Sequence, residues 1–130
     1  MGAKENADLV RRGYEAFSAG DMATLSELFA EDATWFVPGN GSLSGTKQGR
    51  DAIFGFFGDT MSLSGGTFKI ALQDVVGGDQ HTIGLHRAQA QREGKDLEQN
   101  SVLVFQIENG RVREVREFHE NPVYSDEFWA

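Results

Sequence analysis

The spacing of apolar residues changes near residue 66, dividing the chain into a helical part and a strand part. Between Glu5 and Ala19, Leu9, Val10, Tyr14 and Phe17 fall on one stripe of an otherwise charged helix. Gly20 ends that helix, and Asp21 caps a shorter one whose stripe runs through Met22, Leu25, Leu28 and Phe29. Ala33 to Val37 is a short β-prone run stopped by Pro38, and residues 39–45, Gly-Asn-Gly-Ser-Leu-Ser-Gly, are loop chemistry throughout. Helical spacing returns from Arg50 to Met61 through Ile53, Phe54 and Phe57, until Ser64-Gly-Gly66 breaks it.

Beyond Gly66, four β-prone runs are separated by the turn segments 77–80, 92–95 and 108–110. Connections this short make neighbouring strands antiparallel. Asn109-Gly110 is the strongest of these signals, because both residues tolerate the positive φ that a two-residue hairpin demands. On the last strand, alternation puts Val115, Glu117 and His119 on one face and Glu114, Arg116 and Phe118 on the other. The pattern as a whole predicts an α+β domain spanning 1–130, with three helices against one face of a curved sheet and one early strand between the helices. The tail from Pro122 to Ala130 carries Tyr124, Phe128 and Trp129, costly to leave in water, and is expected to fold back as a lid or against a partner.

A chain of 130 residues can bury about two thirds of its unfolded surface around one core. Its 39% hydrophobic and 25% charged content is that of a globular domain. A formal charge of -8 argues against nucleic acid and anionic membrane as partners, since both require a basic face. The absence of cysteine removes disulfides, thiolate metal sites and a cysteine nucleophile. No apolar run follows the first residues, so neither a signal peptide nor a spanning helix is expected, and a cytoplasmic location follows as an expectation.

Several runs together resemble the SnoaL-like branch of the NTF2-like superfamily: Gly20-Asp21 after an amphipathic helix, Leu28-Phe-Ala-Glu-Asp-Ala-Thr-Trp35, Pro38-Gly39, Gly45 and Gly49-Arg-Asp51, then Val104-Phe105, Asn109-Gly110-Arg-Val112 and Glu117-Phe118. The resemblance covers nearly the whole chain. It implies a cone in which three N-terminal helices pack on a strongly curved, mainly antiparallel sheet that encloses a pocket. The branch includes ketosteroid isomerases, polyketide cyclases, limonene-epoxide hydrolases and pocketed proteins without known activity. Carried over residue by residue, the isomerase base aspartate falls on Val37, the oxyanion tyrosine on Gly13 beside Tyr14, and the strand aspartate on Leu103. The hydrolase arginine and aspartate fall on Gly84 and His86, and its second aspartate on Glu117, near which the cyclases also use an acid.

With the faces set by that resemblance, Trp35, Val37, His86, Ala88, Gln99, Ser101, Leu103, Val115, Glu117 and His119 point into the cone, with Tyr14 reaching them from the first helix. Such a wall suits a small apolar or amphipathic molecule held by one or two hydrogen bonds. Glu117, His86 and His119 are the candidate catalytic residues, since a carboxylate in low dielectric and an imidazole both move protons near neutral pH. The same three can equally satisfy one another as structural groups, and Trp35 and Tyr14 can equally be core. No cofactor is expected. No metal is expected either, because close His-x-His or His-Glu-x-x-His spacing is missing. Two function classes stay open: a cofactor-independent isomerase, cyclase or hydrolase, and a binding protein without turnover. On the opposite sheet face, Ile83, Leu85, Val102 and Val104 are apolar with no helix to cover them, which predicts a homodimer.

Overall fold

The computed structural model describes residues 2–130. Helix α1, Ala3–Ala19, buries Leu9, Val10 and Tyr14 along its stripe. It ends at Gly20, whose φ of 68° lets the next amide, of Asp21, reach back to the Ala16 carbonyl at 2.8 Å. Asp21 caps α2, Met22–Leu28, by accepting from the Thr24 amide at 3.1 Å. There the helix stops, and Phe29, expected on its stripe, opens strand β1, Phe29–Val37. No glycine or proline marks that boundary in the sequence. It is set by pairing with a strand far along the chain, as Phe29 lies beside Val112.

After the loop 38–44, Gly45–Gln48 forms strand β2, a second early strand where one was expected. It is an edge strand of mostly polar residues, so it shows no apolar alternation. Helix α3, Arg50–Leu63, buries Ile53 and Phe57, and is followed by β3, Lys69–Gly77, β4, Thr82–Arg92, β5, Lys95–Glu108, and β6, Arg111–His119. The tail folds as α4, Pro122–Trp129, with Asn121 capping it by accepting from the Tyr124 amide at 3.1 Å. Among the described residues there are thus four helices, one more than the apolar periodicity predicts.

One six-stranded sheet runs in the order β2-β1-β6-β5-β4-β3, antiparallel except where β1 pairs parallel with β6. Register shifts in β1, in β3 between Leu72 and Asp74, and in β5 between Gln106 and Ile107 let it curl. Its edges, β2 and β3, do not pair with each other. The hairpins at 93–94 and 109–110 use paired positive φ, 50° and 78° at Glu93-Gly94 and 53° and 74° at Asn109-Gly110. Helix α1 packs on β3 and β4, α3 on β1 and β2, and α4 on β5 and β6. The main core joins the helices to the sheet through fully buried Val10, Ile53, Val112 and Val115. A smaller cluster of Leu43, Ala90, Leu97, Phe128 and Trp129 fastens α4 over the end of the sheet.

Candidate functional site

Strand alternation delivers the inner wall. Register places His86 on β4, Ser101 on β5 and His119 on β6 in one row, and Gly84, Leu103 and Glu117 in the next. With strands about 4.8 Å apart, the two histidine backbones stand about 10 Å from each other, within reach of one ligand. Trp35 arrives from β1, whose parallel pairing sets it beside Val115, two residues from Glu117. Between this wall and the helices lies a cavity of about 110 Å³. Its lining is mainly apolar and aromatic, with Leu25, Leu28, Phe29, Phe56 and Phe57 on one side.

Two polar pairs interrupt that lining. Glu117 accepts a hydrogen bond from the Trp35 indole N–H at 2.9 Å through Oε1, while Oε2 is bonded to Nε2 of His119. The Trp35 ring is fixed in turn by Phe29, stacked at 6.3 Å, and Phe57, edge-on at 5.2 Å. The second pair joins the Tyr14 hydroxyl and His86 Nδ1 at 2.7 Å. Burial pushes the Tyr14 phenol above its ordinary range, and the Glu117 carboxylate adds to that push. Burial also lowers His86 to about 4, with Glu117 opposing the shift and His119 assisting it. Near neutral pH, both members of this pair are therefore uncharged.

Of the residues read from the sequence, His86, His119, Glu117, Tyr14, Trp35, Val37, Ala88, Gln99, Ser101 and Leu103 line this cavity. Val115 does not: it is wholly buried in the main core. Gln99 also accepts from the Asn121 amide at 3.3 Å, tying the wall to the start of α4. Phe56 and Phe57 of α3 and Ser125 and Asp126 of α4 also line the cavity and were not legible as walls in the sequence, while Trp129, in the tail expected to fold back, lines it as well. The signals available were the phenylalanine run 54–57 and the aromatic tail. Among the described residues, no three His, Cys, Asp or Glu side chains converge as metal ligands would.

The model of the SnoaL-like domain family matches residues 10–115, and the chain belongs to that family. It is similar to an uncharacterized protein of Mycobacterium tuberculosis, 38% identical over 124 residues that make up 95% of each chain. Among solved structures it is similar to Bal32a from a soil-derived mobile gene cassette, with 46% identity, 98% of both chains covered and a TM-score of 0.96. An NTF2-like protein of unknown function from Burkholderia pseudomallei shares the fold, with a TM-score of 0.84 at 22% identity over 97% of this chain and 98% of that one. The α+β, NTF2-like architecture expected from the sequence is thereby established. No helix among the described residues is long and apolar enough to cross a membrane.

Proposed function

We propose that this SnoaL-like chain holds a small, mostly apolar molecule between its helices and the concave face of its sheet and performs cofactor-independent acid–base chemistry on it. The observation that carries this reading is the Glu117 carboxylate, set in an otherwise greasy cavity wall and oriented by Trp35 and His119. A carboxylate so placed can take a proton from a C–H beside a carbonyl, or from a water aimed at an epoxide, and return it elsewhere on the same molecule. His119, bonded to the same carboxylate, can carry or stabilise that proton. The reaction is then of isomerase, cyclase or epoxide-hydrolase type. Glu117→Gln keeps the side chain's shape and one acceptor oxygen, so ligand affinity should hold while turnover falls by about 10²- to 10⁴-fold. The assay takes a substrate found by screening epoxides, β-dicarbonyl compounds and unsaturated ketones, and compares variants at matched folded concentration. Undiminished turnover in the Gln variant removes Glu117 from the mechanism.

A second reading, a binding protein without turnover, is supported by the fact that both Glu117 oxygens already accept hydrogen bonds within the protein. Failure of every screened substrate to turn over, with ligand retained through purification and seen by mass spectrometry, would favour it. We also propose a homodimer formed through the outer sheet face. Ile83, Val76, Phe36 and Phe118 are 37%, 54%, 44% and 51% exposed there, and Leu85, Val102 and Val104 lie half-buried among them. A row running Phe36, Arg116, Val104, Ile83 and Val76 crosses five strands, giving a broad apolar patch for a second copy. Sedimentation at micromolar concentration should give the dimer mass, and a monomer would overturn the assignment.

A further inference from the structure

The mechanism above leaves the Tyr14–His86 pair unused, and Gly84 explains how that pair is built. Gly84 faces inward on β4 two residues before His86, and its backbone carries no positive φ that would call for glycine. The need is for room. A Cβ at this position would stand 2.7 Å from both Cε2 and the hydroxyl of Tyr14, a distance real side chains do not tolerate. The missing side chain lets the Tyr14 ring lie against the strand, with its hydroxyl 2.7 Å from His86 Nδ1. Edge-on contacts to His86 at 5.4 Å and to Phe105 at 6.5 Å hold the ring there.

The Tyr14 hydroxyl has no second hydrogen-bond partner among the described residues, so its proton has one acceptor in reach, the Nδ1 lone pair. An imidazole that accepts at Nδ1 and is uncharged carries its own proton on Nε2. Nε2 has no protein partner among the described residues, yet it is not walled in: there, the one buried side-chain nitrogen or oxygen without a partner is Asn6 Oδ1. His86 lines the cavity, and that is where Nε2 is left to bond. The negative field of Glu117 reaches both Tyr14 and His86 and favours keeping protons on the pair.

We propose that Tyr14, seated on Gly84, locks His86 as the Nε2–H tautomer, so that the cavity presents one fixed N–H donor near the Glu117 carboxylate and selects neutral, mostly apolar molecules bearing an acceptor oxygen, ketones above all. The proposal deepens the reading of the cavity as a ligand site and rests on it. Tyr14 and Gly84 are positioning residues, and His86 is the group that touches the ligand. A carboxylate ligand is disfavoured because Glu117 already supplies a negative charge in the same space. A hydrocarbon leaves the Nε2–H unpaired, which a buried donor does not do without cost.

Nitrogen-15 NMR of the histidine rings in the full chain near neutral pH reads the tautomer without any ligand. His86 should show a protonated Nε2 and a bare Nδ1, and Tyr14→Phe should release it into a mixture of tautomers. Gly84→Ala should act as Tyr14→Phe does, and if that variant fails to fold, Tyr14→Phe carries the test by itself. An Nδ1–H tautomer in the unaltered protein, or a tautomer indifferent to Tyr14→Phe, overturns the lock. Binding is then read by fluorescence with 2-acetonaphthone, 2-ethylnaphthalene and 2-naphthoate as probes. The ketone should bind about tenfold more tightly than the hydrocarbon, as one net hydrogen bond gives, with the anion weakest. In His86→Leu that preference should fall to about twofold or less. Hydrocarbon and ketone binding alike to the unaltered protein would overturn the ligand class and leave the cavity reading standing. Binding of no probe at all would overturn both.

Discussion

Each face of the one sheet departs in part from what is expected of a monomeric domain: a few polar groups break the mainly apolar inner wall, and large apolar side chains stand among the polar residues of the outer one. On the inner face, Glu117, His119, His86, Gln99 and Ser101 sit in the shelter of the helices. On the outer face, Phe118, Phe36, Ile83 and Val76 stand in water. Glu117 and Phe118 are neighbours in sequence, and alternation sends them to opposite faces. Polar groups are tolerated inside because they are paired, Glu117 with Trp35 and His119, and His86 with Tyr14. Among the described residues, no comparable pairing exists for the outer aromatics. On the reading proposed above, polarity tracks use rather than depth, the inner face serving a small molecule and the outer a second copy of the chain.

The largest test of this contrast places the same charge on each face. Val115→Asp should bury an unpartnered carboxylate at a position with 0% exposure, costing about 4 kcal/mol or more and unfolding much of the protein in urea titrations. Phe118→Asp, three residues on, should change monomer stability by about 0.5 kcal/mol while dissociating the proposed dimer in sedimentation. Equal destabilisation by the two would show that the faces are not distinct.

The next effect comes from pH. His86 ordinarily titrates at 6.5 and is lowered to about 4 by burial, against the pull of Glu117 and with the push of His119, while uncharged Tyr14 occupies its Nδ1. Between those values the unfolded chain binds a proton that the folded chain refuses. The stability owed to this group is therefore complete above about pH 6.5 and is lost as pH falls toward 4, by up to roughly 3 kcal/mol. Denaturation at pH 7.5 and at pH 5 should show the drop, and His86→Gln should flatten it. A drop that persists in the variant would assign it to other groups.

The smallest effect concerns the cover of the inner face. Asp126 of α4 accepts the Asn40 amide at 2.9 Å, and Gly39 makes room for it, since a Cβ there would come within 2.3 Å of Asp126 Oδ1. Asp126→Ala should cost about 1 kcal/mol and speed amide exchange in α4 and in residues 38–44, with the rest of the sheet unaltered. Unchanged exchange in that segment would mean that α4 is held by its apolar contacts alone.

The caps at Gly20 and Asp21, the Asn109-Gly110 hairpin and which residues of a strand share a face were legible in the sequence, because each is fixed by residues within a few positions of one another, whereas which face turns inward was not. Even Glu117 and His119 on one face follow from their spacing of two. What lay beyond local pattern depends on groups brought together from far apart. The switch to β1 at Phe29 is set by parallel pairing with β6, more than eighty residues on. Strand β2 exists because β1 offers an edge, and the aromatic tail becomes α4 because the cluster around Leu97 and Ala90 receives Phe128 and Trp129. The Tyr14–His86 bond spans 72 positions. Gly84 is needed there only because a ring from α1 lies where its side chain would be, a steric fact with no local signature. Local backbone chemistry decides which side chains share a face, and only the closing of the sheet around the helices decides which face turns inward and what it meets.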